Sequence, residues 1–159
     1  MSSTYKSEII SLLNQSHVGF LATTGNDGPE SSMAPYAIHH GTVLLHLSGL
    51  ARHTGNITSH PKVGFIICTP ETIADSPLAL PRLSLQGDVT PVSGEQLQTA
   101  RQAYLNAIPD AEPLFGFSDF TLFKLSVSTV HWVGGFGSAN KIAVSDWHSL
   151  LSSETKNHG

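Results

Sequence analysis

Two very short connections between strand-like runs constrain this chain more than any other feature. Val18-Gly-Phe-Leu-Ala-Thr23 is an apolar run rich in strand formers, and Gly25-Asn-Asp-Gly28 follows it directly. Asp27-Gly28 is a hairpin signal, because both residue types tolerate the positive φ of a tight turn. A second strand is expected over Ser31 to His39, a tight turn at His40-Gly41, and a third strand over Thr42 to Leu47. Turns this short join antiparallel neighbours, since parallel strands need a long crossover. Lys62 to Thr69, Arg82 to Val89, Phe120 to Val127, Val130 to Val133 and a short Lys141 to Val144 read as further strands. In Arg82 to Val89, Leu83, Leu85 and Val89 alternate with Ser84, Gln86 and Asp88, as in a strand with one buried face.

Helices are fewer and fall between strand pairs. Ile9, Ile10, Leu12 and Leu13 share one face of a first helix, with Ser3 or Thr4 at its start. Leu50 to Ser59 reads as a short helix stopped near Pro61. Ser93-Gly-Glu-Gln96 has the form of a capping box and opens a helix to about Asn106. Asp146 is the expected cap of a last short helix holding Trp147, Leu150 and Leu151, with Ser152 to Gly159 frayed. Pro70 to Leu80 and Ile108 to Ser118 read as irregular connections. Helices that do not follow every strand argue against a doubly wound sheet. The expectation is one domain over residues 1–159, mainly β with flanking helices, its six to seven antiparallel strands forming a barrel.

Composition narrows the function classes. Charged residues make up only 13% and hydrophobic ones 40%, which excludes a disordered chain and leaves apolar surface for a second subunit to cover. A net charge of −4 without a basic stripe argues against nucleic acid as a partner. No apolar run approaches membrane length, so no membrane partner is expected. The start lacks an apolar signal core, and the one cysteine, Cys68, sits in an apolar run; both point to a reducing cytoplasm.

The segment His46-Leu-Ser-Gly-Leu-Ala-Arg-His-Thr-Gly-Asn56 carries the most chemistry. It leaves a strand and enters a helix, and Ser48 stands where an N-cap is expected. Free amides at a helix start suit a phosphate. Arg52 adds a planar fork, and His53 and Thr54 add further donors. Pro35 cannot donate to a ladder, so the strand carrying Ser31-Ser-Met-Ala-Pro-Tyr36 belongs at an edge or carries a bulge. Arg82, one of three arginines, opens a strand and is a second anion-contact candidate. The histidines lack zinc spacing, so no structural metal is expected, although His131, His148 or His158 alone would suffice as an axial haem ligand. There is no Gly-x-Ser-x-Gly elbow and no evident acid/base pair, so catalytic residues are not assignable and any turnover rests on a cofactor.

Taken together, Val18-Gly-Phe-Leu-Ala-Thr-Thr, Gly28-Pro, Ser31-Ser-Met-Ala-Pro-Tyr36, Leu47-Ser-x-Leu-Ala-Arg-His-Thr-x-Asn-Ile57 and Pro61 resemble the pyridoxamine-phosphate-oxidase-like split barrel. Pro81-Arg-Leu-Ser-Leu-Gln-Gly87, Asp119-Phe-Thr-Leu-Phe-Lys-Leu125 and Trp132-Val-Gly-Gly-Phe-Gly137 resemble its haem-utilisation branch. The resemblance implies a homodimer with FMN in clefts between subunits. Met33, Ala34 and Pro35 would face the flavin through backbone groups, Ser48, Arg52, His53 and Thr54 would hold the phosphate, and Ser32 and Leu47 are further cofactor-binding candidates. Arg82, of the same chain or of the partner, would reach the cleft, and the Gly134 to Gly137 loop would border it. The oxidases themselves carry an arginine where this chain has Ser32 and a lysine where it has His53, which implies a weaker phosphate grip and no pyridoxamine phosphate oxidation. In the haem branch the same barrel binds haem through a C-terminal histidine, for which His148 and His158 are the candidates, with Asp119 nearby. An FMN-dependent oxidoreductase of unspecified substrate is the first expectation. A haem-binding or haem-degrading protein is the second, and a non-catalytic dimeric module the third.

Overall fold

The computed structural model describes residues 3–73, 76–136 and 139–154. Gly137 and His158 fall outside these, as do the side chains of Ser3 and Thr4, so the expectations resting on them are not addressed by the structure. Helix α1 (Ser3–Gln15) leads into the hairpin β1 (Val18–Gly25) and β2 (Gly28–Pro35), then β3 (Ala37–His39), β4 (Thr42–Ser48) and α2 (Arg52–Ser59). Strand β5 (Lys62–Cys68) is joined through two short 3-10 turns to β6 (Arg82–Pro91). Helix α3 (Gly94–Ala107) and a 3-10 segment (Pro109–Gly116) precede the long strand β7 (Phe120–Val133), then β8 (Ala139–Ile142) and α4 (Val144–Glu154).

All pairings are antiparallel, in the order β2-β1-β5-β6-β7-β4-β3, with β8 alongside β7. The two ends of this order, β2 and β3, are consecutive in the chain and separated only by Tyr36. The sheet must therefore curl until its edges meet at that residue, which makes it a barrel split along one seam. The expected strand over Ser31 to His39 is broken at Tyr36 into β2 and β3.

Tyr36 is the pin of the seam. Its backbone amide donates to the His17 carbonyl at 3.0 Å, its hydroxyl donates to the Ser16 carbonyl at 2.6 Å, and its ring meets Phe65 edge-on. It is 1% exposed, and burial pushes its hydroxyl pKa well up. Removing a buried hydrogen bond of this kind costs about 1–2 kcal/mol. Tyr36→Phe is expected to lower the unfolding free energy by that amount, read as a lower urea midpoint at unchanged slope.

Inward side chains of alternating strand positions, among them Leu21, Phe65, Leu83, Leu125 and Trp132, fill the interior, and Ile9 and Leu12 of α1 join Trp147 and Leu150 of α4 in the same core. Phe120 to Val133 forms one strand, not the expected two, because a bulge absorbs the irregularity. Gln86 faces Thr129 while Gly87 faces Val127, so Ser128 is the extra residue, and its hydroxyl donates to the Gln86 carbonyl at 3.2 Å. The last helix begins at Val144, so Asp146 lies in its first turn and does not cap it, and Ser152 is helical.

Candidate functional site

The chemistry-rich segment does lie between β4 and α2, but its local structure differs from the expectation. Helix α2 starts at Arg52 with the extended residue Ala51 at its cap, and no side chain caps it. Ser48 instead organises the turn that precedes the helix. Its hydroxyl accepts from the Leu50 amide at 3.2 Å and donates to Asp119 Oδ2 at 3.0 Å. Its carbonyl accepts from the Ala51 amide at 3.2 Å and from Thr54 Oγ1 at 2.6 Å. The Gly49 amide donates to the Asp119 carbonyl. The same kind of displacement occurs at α3. Ser93 takes the cap position without a side-chain bond, and Gln96 is drawn away from the expected box by Lys124, whose Nζ donates to Gln96 Oε1 at 3.2 Å.

The first turns of α2 are laced to β1 and β2. Arg52 lays its fork on Glu30, with Nε 3.1 Å from one carboxylate oxygen and an Nη 3.2 Å from the other. His53 Nδ1 is 3.0 Å from Ser32 Oγ, and Asn56 donates to Thr23 Oγ1 at 3.0 Å. Burial lowers the His53 pKa, so this ring is neutral near pH 7. The two positions where oxidases of the resembling family carry cations, Ser32 and His53, are thus in contact here as a neutral pair.

The remaining sequence candidates divide by face. The side chains of Ala34 and Leu47 are buried in the core, which leaves backbone groups alone for the contact expected of Ala34. Met33 and Pro35 are exposed on β2, which is an edge strand as the proline implied. Met33 faces Phe20, Phe20 faces Ile66, Ile66 faces Ser84, and Ser84 faces His131, which pairs with Lys141. Cross-strand partners share a face, so these residues form one row across the outside of the barrel. Arg82 belongs to the same face, two residues from Ser84. It is half-buried, and its guanidinium donates to the Leu80 carbonyl at 3.1 Å. At the β1–β2 end this face exposes Val18, Phe20 at 49% and Met33 at 57%; at the β6–β8 end it is polar and cationic. Pairing to β4 does not bring His148 into this row. That histidine is exposed on α4, with its Nδ1 against the Gly41 turn, and the neighbouring Trp147 Nε1 donates to the Gly41 carbonyl at 3.0 Å. Gly41 lies at the end of β4 remote from Ser48, about 20 Å away by strand rise.

Sequence reasoning gave three participants too little weight. Glu30 is 22 residues from Arg52 and Asp119 is 71 from Ser48, so no local pattern joins either pair. His46 is 9% exposed, its ring stacked on Phe115 at 3.8 Å and 9° and flanked by Phe120 and Tyr104. Arg101 lies over the other partner of that stack, 5.1 Å from the Phe115 centroid. His46 Nδ1 has no hydrogen-bond partner among the described residues, and burial, with Arg101 second, lowers its pKa to about 4. Only its alternation with Leu45 and Leu47 in an apolar strand hinted at this position.

Fold and site define a split-barrel protein whose outer sheet face carries an apolar end and a cationic end. A family model described as "CREG, beta-barrel" matches residues 11–149. The chain belongs to this family, whose barrel is that of the pyridoxamine-phosphate-oxidase-like proteins. It is 32% identical over 137 residues to the chloroplastic haem oxygenase HOZ of Arabidopsis thaliana, covering 83% of this chain and 41% of that protein. It is 27% identical over 135 residues to the haem oxygenase HutZ of Vibrio cholerae, covering 79% and 74% respectively. A haem-binding protein from Mycobacterium smegmatis superposes with a TM-score of 0.85 at 29% identity, covering 94% of this chain and 62% of that one. The chain thus spans about two fifths of the length of the plant relative and under two thirds of the mycobacterial one. Among the described residues, no helix is long and apolar enough to cross a membrane.

Proposed function

We propose that this chain binds haem on the outer sheet face, as a homodimer in which a second copy covers the exposed apolar end. The observation that carries the reading is the row from Met33 and Phe20 through Ile66 and Ser84 to His131 and Lys141. From Met33 on β2 to Ser84 and Arg82 on β6 the row spans three strand spacings, about 14 Å, and His131 and Lys141 on β7 and β8 lie beyond; its apolar side chains are at the β2 end and its cations, Arg82 and Lys141, at the other. A flat macrocycle with carboxylate arms needs this division: apolar contact for the ring and cations for the arms. The relatives named above, two haem oxygenases and a haem-binding protein, support the same ligand, and they give no support to the FMN expectation. Haem breakdown is the activity to assay once binding is found, with the chemistry supplied by the bound haem and its electron donor.

His131 lies on the platform, His158 is in the tail, and His148 lies at the Gly41 turn. Haem titration should therefore give a saturating Soret band that survives His148→Ala and is lost or shifted in His131→Ala or His158→Ala. A protein that gives no saturable Soret change, or keeps the wild-type spectrum in all three variants, would refute histidine-ligated haem binding. Phe20→Asp, a charge on the apolar end, should weaken haem binding at least tenfold and shift light scattering toward the monomer.

A further inference from the structure

We infer that Glu30 and Asp119 are selectivity residues that keep phosphorylated cofactors off the segment Ser48–Thr54. Each of the four side chains expected to grip a phosphate is already engaged within the chain. Arg52 is forked onto Glu30 through both of its oxygens, and Ser48 donates to Asp119 at 3.0 Å. Thr54 donates to the Ser48 carbonyl, and His53 meets Ser32. The amides of Gly49, Leu50 and Ala51 are spent on Asp119 and Ser48 as well. The charge balance points the same way. The segment brings one cation, Arg52, against two carboxylates, and the buried His53 ring is neutral near pH 7. A phosphate dianion arriving there would meet a net negative charge and would have to displace Glu30 from a guanidinium whose geometry it fills.

This arrangement is more than a missing phosphate site. An arginine–carboxylate pair this exposed contributes little to stability, so what opposes a phosphate here is the net negative charge of Glu30 and Asp119 more than the strength of the pair. What the pair does is occupy the one fork in the segment that phosphate would use. The inference is independent of the haem reading, because it concerns which anion the segment admits and not what lies on the sheet face.

The test is titration with FMN and with riboflavin, which lacks the phosphate, followed by flavin fluorescence and by sedimentation of bound flavin. Glu30→Gln and Asp119→Asn should each tighten FMN binding about tenfold over the wild type, and the double variant should exceed either, while riboflavin affinity stays the same throughout. The two single variants keep the test decisive should the double variant fold poorly, and His53→Lys, which adds a cation beside Ser32, sets the gain that a direct phosphate contact gives there. Wild-type protein that binds FMN as tightly as the variants, or variants that gain riboflavin affinity as much as FMN affinity, would overturn the inference. Haem titration of the same proteins reads separately: loss of haem binding would count against the proposed function and leave this result standing.

Discussion

Gly87→Ala is expected to cost about 3 kcal/mol of stability and to lower the melting temperature by about 6–12 °C for a chain of this size. Gly87 lies on β6 where the β6–β7 register shifts, and a β-carbon there would overlap the carbonyl oxygen and carbon of Ser126 on the facing strand. Both obstacles are backbone, so no rotamer change relieves them. The strands would have to part at the bulge, and the inward residues on either side, Leu85 and Val89 on β6 and Leu125 and Val127 on β7, would lose contact together. Gly64→Ala is the matched control. Gly64 is also on a central strand, but a β-carbon there would meet only Ala22 Cβ at 3.7 Å, ordinary contact, and alanine generally suits a strand at least as well as glycine. Urea unfolding of the two variants in parallel separates the clash from a general effect of replacing glycine; equal midpoints would show that the bulge has room. The bulge also sets where the second half of β7 sends His131. On the proposed haem platform, a Gly87→Ala protein that still folds should therefore bind haem more weakly than one carrying Gly64→Ala.

The contrast between Gly87 and Asp27-Gly28 shows how much of this molecule its sequence displays. The first hairpin is local: a turn signal flanked by apolar alternation, and β1 pairs with β2 from Gly25 and Gly28 outward as that signal requires. The edge position of β2 was legible for a similar reason, since Pro35 lacks an amide for a ladder. The bulge was not legible, because a continuous β7 needs Ser128 to be accommodated by Gly87, 41 positions away in the chain. The same limit applies at the candidate site. Ser48, Arg52, His53 and Thr54 could be singled out by residue type and by the strand-to-helix junction, and the fold does assemble them there. Which partner each would take depended on Glu30, Ser32 and Asp119, which reach the segment only through the β1–β2 hairpin and the start of β7. Local donors without knowledge of their partners read as a free anion cradle; with partners they read as a filled one.

His46 provides the second large effect, and its sign follows from burial. In an unfolded chain the ring takes a proton near pH 6.5, whereas in the folded protein burial and the nearby Arg101 hold that value at about 4. Between these values the unfolded state binds a proton that the folded state refuses. The stabilisation is therefore complete above pH 6.5 and is lost as the pH falls toward 4. At pH 5 the loss from this one ring is about 2 kcal/mol, roughly a thirtyfold drop in the folding constant. Burial lowers His39 and His53 as well, so the wild type should lose more than His46 alone accounts for. His46→Phe preserves a flat ring against Phe115 and removes the titrating nitrogen and its unpartnered Nδ1. Its stability at pH 7 should match or exceed the wild type, and its loss between pH 7 and pH 5 should be smaller by about 2 kcal/mol. Parallel urea midpoints for the two proteins across that range would show that His46 does not titrate as its surroundings require. The consequence extends beyond stability. The 3-10 segment Pro109–Gly116 carries Phe115 and leads through Phe117 to Asp119, the residue that holds Ser48. A proton forced onto His46 would place a buried charge near Arg101, and relieving it means opening the Phe115 segment to water, so acid should loosen the Ser48–Asp119 contact before the barrel unfolds. The protection factor of the Gly49 amide, whose N–H donates to the Asp119 carbonyl, should fall on acidification in the wild type and should not in His46→Phe.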